Sequence, residues 1–134
     1  MKRLWSAGLL VATLAIGLSC GDSTSSGPGQ LKVRLTTVNS GADSAIVFTI
    51  TGPASAVLTS ATAGTGFRVF HEPFSGNVTR FAIVGQLTQG AVLLTIGVPE
   101  VSEFSQYSGT IEGVAQPNYQ LRALPGGYAL AITR

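Results

Sequence analysis

The residues of this chain that could do chemistry are few and widely separated. The chain has 134 residues, with one cysteine, Cys20, and one histidine, His71. A zinc site needs three or four ligands of the His, Cys or carboxylate type close together. A catalytic serine is usually marked by a motif such as Gly-x-Ser-x-Gly, which this sequence lacks. The sequence therefore predicts no metal site, no cofactor and no catalytic residue, and we expect a protein that is not an enzyme.

Two enzymatic alternatives use the remaining polar residues. A small hydrolase would combine His71 with an acid such as Asp43 and with one of the many serines. A glycosidase would need two carboxylates about 5–10 Å apart, and Glu100 and Glu103 are close in sequence. Both glutamates lie in a segment that is typical of a connection between strands, which favours solvated surface charge over catalysis.

Cys20 follows the one segment that has the pattern of a membrane signal. Lys2 and Arg3 precede an apolar run over residues 4–18, and small residues precede the cysteine. A secretory signal combines a positive start, an apolar stretch of about 7–15 residues and small residues at the cleavage site. A membrane-spanning helix needs about 20 apolar residues. We therefore expect residues 1–19 to be a helical signal peptide rather than an uncleaved anchor.

The sequence Gly17-Leu18-Ser19-Cys20 resembles the lipobox of bacterial lipoprotein precursors, with Gly17 where that family most often has leucine. The resemblance implies cleavage before Cys20 and acylation of its thiol with a diacylglycerol, which would attach the protein to a lipid bilayer. The same small residues also fit ordinary signal peptidase, which would leave a free thiol. An odd cysteine in a secreted chain calls for an explanation, and lipid attachment provides one.

The residues after Cys20 have the composition of a flexible tether. Residues 21–30 are mostly Gly, Ser, Thr and Pro, and such a segment spans roughly 17 Å. We therefore assign residues 20–30 to a lipidated cysteine and tether. By the sorting rule of enteric lipoproteins, Gly21 in place of an aspartate favours the outer membrane over the inner one, with the domain facing the periplasm or the cell exterior.

The charge of the chain excludes a nucleic-acid partner. Lys2 and Arg3 belong to the predicted signal, and the rest of the chain has equal numbers of basic and acidic residues. Nucleic-acid binding proteins carry a basic patch that replaces counterions on the phosphates. Residues 31–134 carry six basic and five acidic residues and have no run of basic residues, so we expect no nucleic-acid binding.

Residues 31–134 have the pattern of one all-β domain. Apolar and polar residues alternate, and turn residues recur at the short spacing typical of sandwiches and barrels. Residues 91–98 are nearly all apolar, which predicts a central strand covered on both faces. Strands are also predicted over residues 31–36, 46–51, 56–61, 67–71, 78–84, 108–115, 119–123 and 128–132. We expect one helical turn over residues 101–107, capped by Ser102 and crossing between sheets, and a hairpin turn over residues 124–127.

These elements predict a single antiparallel β-sandwich. The layout is similar to the cohesin-like and immunoglobulin-like sandwiches of bacterial surface proteins. Residues 128–132 also resemble the Tyr-x-Leu-x-Ile strand that ends a group of short lipoproteins. These resemblances imply a fold and no activity.

Phe70 and Phe74 are the candidate binding surface. They flank the Glu72-Pro73 turn, where an aromatic ring can stay exposed and stack against a sugar. The alternative is that both rings only pack locally.

The sequence thus favours a membrane-tethered, non-enzymatic envelope lipoprotein whose sandwich is a binding or structural module, with a protein or glycan partner. The alternative is a carbohydrate-binding or adhesion accessory module.

Overall fold

The computed structural model describes residues 26–36, 43–124 and 126–134. The predicted signal, Cys20 and residues 21–25 of the predicted tether lie outside these residues. The described chain forms nine strands: β1 Gly29–Thr36, β2 Ala45–Thr51, β3 Ser60–Ala63, β4 Arg68–His71, β5 Val78–Val84, β6 Val92–Val98, β7 Ser108–Ala115, β8 Leu121–Arg122 and β9 Ala129–Thr133. A 3-10 helix, Val101–Gln106, lies between β6 and β7.

The strands form two antiparallel sheets, which confirms the predicted all-β sandwich. Sheet A has the order β3-β6-β1-β9, and sheet B has the order β4-β5-β2-β7-β8. The chain changes sheets repeatedly, so neighbouring strands in one sheet are mostly distant in sequence. Each sheet turns one face to the shared core and one to solvent.

The alternation of apolar and polar residues along each strand determines which side chains enter the core. Leu31, Val33 and Leu35 of β1 are fully buried, and so is Phe48 of β2. Phe48 packs on Phe81 of β5, with ring centroids 5.7 Å apart. Successive residues of a strand point to opposite faces, so the polar residues between them lie on the outer faces.

The strand β6 is central in sheet A, as predicted, and a bulge explains why two adjacent residues in it are both buried. Val33 of β1 pairs with Leu94, and the next residue, Arg34, pairs with Val92, so that Leu93 is an extra residue. A bulge places two residues of one strand opposite one of its partner. Leu93 and Leu94 are both fully buried because the alternation is interrupted there.

The prediction for residues 56–61 was displaced by several positions. The strand β3 begins at Ser60, whose partner is Gly97 of β6. Ala56 and Leu58 are buried in the connection before β3. Buried and exposed residues alternate here as they do in a strand, but hydrogen-bonded pairing with β6 begins only at Ser60.

The predicted terminal hairpin is wrong. β8 pairs with β7 in sheet B, and β9 pairs with β1 in sheet A. The predicted strand over residues 119–123 is reduced to Leu121–Arg122, because Tyr119 has a φ of 66°. A residue in that left-handed region cannot continue a strand.

The predicted helical turn is confirmed, with a different cap. Glu100, rather than Ser102, is the N-cap residue, and its carboxylate accepts a hydrogen bond from the Ser102 amide. The same carboxylate accepts one from the Gly27 amide at 2.9 Å, and the Val101 amide donates to the Gly27 carbonyl at 2.8 Å. These bonds fix the start of the described chain against the 3-10 helix, at what we call the N-terminal end of the sandwich.

The opposite end of the sandwich, which we call the distal end, carries the last part of the chain. β1 runs from Gly29, paired with Val98, to Thr36, and Thr36 pairs with Ala129 at the start of β9. The Ser44 amide donates to the carbonyl of Ala115 at 2.8 Å. β7 therefore ends, and β2 and β9 begin, at the distal end.

Gly64 allows β3 and β6 to approach closely, and this generates a prediction. A Cβ atom at Gly64 would lie 1.9 Å from the backbone oxygen of Val92, whereas one at Gly113 would meet nothing within 4 Å. Gly64→Ala should lower the free energy of unfolding by about 3 kcal/mol, because the overlapped atom belongs to the backbone. Gly113→Ala is the control and should change it by less than about 0.5 kcal/mol. Urea denaturation of both variants measures this, and equal effects would contradict the predicted overlap.

Candidate functional site

The outer face of sheet B carries an apolar row that crosses three strands. Phe70 of β4 pairs with Ala82 of β5, and Ala82 pairs with Val47 of β2. Phe70 is 56% exposed. Because Ala82 is small and stands between two larger side chains, the sheet surface is hollow at this point.

The hollow is a shallow depression of about 340 Å³. Phe70, Val47 and Ala82 supply its apolar lining, and His71, Glu72 and Arg80 supply polar groups at its margin. Binding sites for small ligands are mostly apolar concave surfaces with a few polar groups that fix orientation. The depression has this composition, and we call it the Phe70 depression.

Arg80 is held in position beside the Phe70 depression. Its guanidinium lies 2.8 Å from the Glu112 carboxylate, and the Thr49 hydroxyl donates to the same carboxylate at 2.5 Å. All three side chains stand on the outer face of sheet B. An exposed ion pair contributes only about 0–1 kcal/mol to stability, so the main consequence is a preferred direction for Arg80.

The structure separates the two candidate aromatic residues. Phe70 is exposed and lines the depression. Phe74 is half-buried against the core, and its ring stacks on His71 with centroids 4.5 Å apart and an interplanar angle of 2°. Phe74 therefore supports the loop that follows β4, and Phe70 is the ring available to a ligand.

The structure does not bring together the residues of the alternative hydrolase. His71 is exposed, and its Nδ1 atom lies 2.7 Å from the Glu72 carbonyl oxygen. Asp43 is fully buried and accepts two hydrogen bonds from the Arg122 guanidinium, at 2.6 and 2.7 Å. It also accepts a hydrogen bond from the Tyr128 hydroxyl. These contacts occupy both carboxylate oxygens, so the structure shows no Asp43 contact that would orient His71.

The surroundings of Asp43 stabilise its ionised form. The hydrogen bonds from Arg122 lower the pKa of the carboxyl below its ordinary value of 3.8, burial acts in the opposite direction, and the Tyr128 hydroxyl lowers it further. The same pair raises the pKa of Arg122. A buried charge is tolerated when it is paired and hydrogen-bonded, and Asp43 satisfies both conditions.

Glu100, one of the two glutamates of the alternative glycosidase, has a structural role. The Glu100 carboxylate accepts hydrogen bonds from the Ser102 hydroxyl at 2.5 Å and from the Gly27 amide at 2.9 Å. These hydrogen bonds lower the pKa of the Glu100 carboxyl, and the bond from the Ser102 hydroxyl has the largest effect. Glu100 therefore caps the 3-10 helix and holds the beginning of the domain.

A second concave surface lies between two loops at the distal end. It is a cleft of about 540 Å³ between the β3–β4 and β5–β6 connections, and its polar side chains are Thr65, Gln86 and Thr88. Among the described residues that line it, none is charged and none is an exposed aromatic ring. The Phe70 depression is therefore the better candidate site.

Within the part of the chain that the structure describes, no three His, Cys, Asp or Glu side chains are grouped as a metal site would require. No helix within the same ranges is long and apolar enough to cross a membrane.

Comparisons of the chain with models of known protein families, with curated protein sequences and with solved structures find no match.

Sequence reasoning identified Phe70 but missed the residues around it. Val47, Arg80 and Ala82 come from two other strands and meet Phe70 only through the strand order of sheet B, and Glu112 of β7 reaches the site only through Arg80. The period-two alternation does assign Arg80 and Ala82 to one face of β5. The turn residues 72–77 indicate a reversal between β4 and β5, but no local signal places β2 on the other side of β5.

The Asp43 network generates a prediction about acid stability. The folded pKa of Asp43 lies below the unfolded one, so its stabilisation is complete above about pH 5 and is lost as the pH falls below 3.8 and through the lower folded pKa. Asp43→Asn should lower the free energy of unfolding at pH 7 by about 3–5 kcal/mol and flatten its pH dependence between about pH 5 and 2. Urea denaturation across this pH range measures both effects.

Glu112→Gln is the matched control for Asp43→Asn, because it removes a carboxylate from an exposed ion pair. It should cost about 0–1 kcal/mol and leave most of the pH dependence in place. An unchanged pH profile in Asp43→Asn would contradict the assigned role of the Asp43 network.

Proposed function

We propose that this chain is a membrane-tethered, non-enzymatic lipoprotein of a bacterial cell envelope, whose sandwich binds its ligand in the Phe70 depression. One observation carries the binding role: an aromatic ring that is 56% exposed stands at the wall of an apolar depression. A large apolar side chain at such a position loses contact with water when a ligand covers it, which provides binding free energy.

The second candidate, a carbohydrate-binding or adhesion accessory module, specifies the ligand further. The flat ring of Phe70 suits the apolar C–H face of a sugar. Arg80 and Glu72 at the margin offer a donor and an acceptor for sugar hydroxyl groups. A glycan is therefore the first ligand class to test, and an extended protein segment is the second.

A hydrolase built around His71 has less support. The contacts of Asp43 are with Arg122 and Tyr128, and the nearest polar contact of His71 is a backbone carbonyl. A general base needs a partner that orients its imidazole. Nothing among the described contacts of His71 supplies one.

The anchor explains why a small domain without a strong net charge would stay at the envelope. The resemblance of residues 17–20 to a lipobox supports acylation of Cys20. One acyl chain binds a bilayer weakly, and two or more give stable attachment. The hydrogen bond between Gly27 and Glu100 would then keep the N-terminal end of the sandwich nearest the bilayer. Gly21 after the cysteine favours the outer membrane as the location of that bilayer.

The anchor is tested on the full chain expressed in a bacterium that processes lipoproteins. Mass spectrometry of the mature N-terminus should find Cys20 as the first residue with covalently bound acyl chains. Cys20→Ser should move the protein from the membrane fraction to the soluble fraction. An unmodified thiol on a mature chain, or a membrane fraction unchanged by Cys20→Ser, would contradict lipid attachment.

The binding site is tested with a panel of immobilised cell-envelope glycans. The full chain should bind at least one glycan, and Phe70→Ala should weaken that binding about tenfold or more, because stacking on the ring is lost. Val78→Ala is the matched control: Val78 is 50% exposed but does not line the depression. Glycan binding that survives Phe70→Ala would place the ligand elsewhere.

A further inference from the structure

The apolar row on the outer face of sheet B continues beyond the Phe70 depression. Val47, the last residue of this row to line the depression, pairs with Gly113 of β7. A Cβ atom at Gly113 would meet nothing of the described chain within 4 Å, so the surface above it is open. The row Phe70, Ala82, Val47 and Gly113 thus crosses four strands and extends over about 14 Å, since neighbouring strands are about 4.8 Å apart. We call this row and the open space above it the cross-strand groove.

A polar row borders the cross-strand groove on one side. The Glu72 amide donates to the Arg80 carbonyl at 3.2 Å, Arg80 pairs with Thr49, and Thr49 pairs with Thr110. Arg80 and Thr49 each lie two residues from a member of the apolar row and therefore share its face. Carboxylate, guanidinium and hydroxyl groups thus follow one another along the length of the groove.

The floor of the cross-strand groove widens on the other side. Ala45 pairs with Val84 of β5 and with Ala115 of β7, which adds a second row of small apolar side chains. Phe70, at 56% exposed, stands higher than these residues at the β4 end. The groove is therefore an apolar trough with an aromatic ring at one end and polar groups along one side.

The charges around the cross-strand groove are balanced among the described residues. Arg80 is paired with Glu112 at 2.8 Å. Arg68 and Glu72, which have opposite charges, lie two residues before and two residues after Phe70. Complementary charge selects ionic partners, and this surface has no excess of either sign to offer. An uncharged ligand therefore fits it best.

A glycan chain fits the cross-strand groove better than an extended protein segment does. β5 and β2 form the middle of the floor and are paired on both sides, so their main-chain donors and acceptors are used within the sheet. An extended peptide binds a sheet mainly through main-chain hydrogen bonds to an unpaired edge. The groove instead offers side-chain partners, which suit the hydroxyl groups of a sugar.

From this geometry we propose that the cross-strand groove binds a linear, uncharged oligosaccharide chain, with one sugar on Phe70 and the following sugars extending to Gly113. The apolar floor covers the C–H faces of the sugars. Arg80 donates hydrogen bonds to their hydroxyl groups, Glu72 accepts them, and Thr110 can do both. This inference rests on the proposed binding role of the Phe70 depression, and it specifies the ligand as a chain rather than a single sugar.

The test measures affinity against chain length with the full chain purified in detergent. The probes are β-1,4-linked oligomers of glucose and of N-acetylglucosamine, from one to six sugars, because these chains are linear and uncharged. Isothermal titration calorimetry should show an affinity that rises about tenfold or more with length in at least one series. The affinity should level off once the oligomer is as long as the groove.

A substitution at the far end of the cross-strand groove identifies the surface responsible for the gain. Gly113→Gln places a bulky side chain over the floor at a position where a Cβ atom is free of contacts. It should reduce the ratio of hexasaccharide to disaccharide affinity from about tenfold to about one. Ser108→Gln is the matched control, since Ser108 is exposed on the same strand outside the groove, and it should keep the full ratio.

The outcomes separate this inference from the proposed function. Equal affinity for short and long oligomers, with both weakened by Phe70→Ala, would overturn the cross-strand groove and leave the Phe70 depression as the binding site. A gain with length that Gly113→Gln retains would also overturn the groove. Absence of binding by both series would overturn the choice of an uncharged linear chain, whereas the wider glycan panel decides the proposed function independently.

Discussion

The architecture depends on one buried carboxylate. Asp43 lies two residues before β2 of sheet B, and its side chain binds Arg122 in β8 of sheet B and Tyr128 just before β9 of sheet A. Its carbonyl oxygen accepts the Leu87 amide at 3.0 Å. An unpaired buried carboxylate would cost several kcal/mol. The last part of the chain must therefore be placed so that both partners reach Asp43.

This requirement explains why the chain changes sheets after β8. A local hairpin between β8 and β9 would keep both strands in one sheet. Arg122 fixes β8 beside β7, while Tyr128, which donates to the Oδ2 atom that Arg122 also contacts, directs β9 towards β1. Once β9 lies there, Leu130 packs close to Gly109 of β7: a Cβ atom at Gly109 would lie only 2.7 Å from the Leu130 side chain. The network at the distal end thus determines how the two sheets meet along one side.

The sequence contained enough information for the faces of the strands but not for their order. Alternation placed Leu31, Val33 and Leu35 in the core correctly, and the helical turn after β6 was recognised from its spacing. The partners of Asp43 are 79 and 85 residues away in sequence, and no local pattern connects them. The terminal hairpin was predicted from turn residues alone. It failed because tertiary contacts of Arg122 and Tyr128 outweighed local turn preference.

The candidate site also depends on the order of the strands, which local sequence patterns do not reveal. Phe70 was visible as an aromatic residue beside a turn, but its depression exists only because Ala82 and Val47 lie across the sheet from it. On β4 and β5 these outer-face residues alternate with core residues such as Val69, Phe81 and Ile83. Because successive side chains point to opposite faces, the outer face can be substituted with little change to the core. A sandwich of this kind therefore separates the residues that determine its fold from those that determine what it binds.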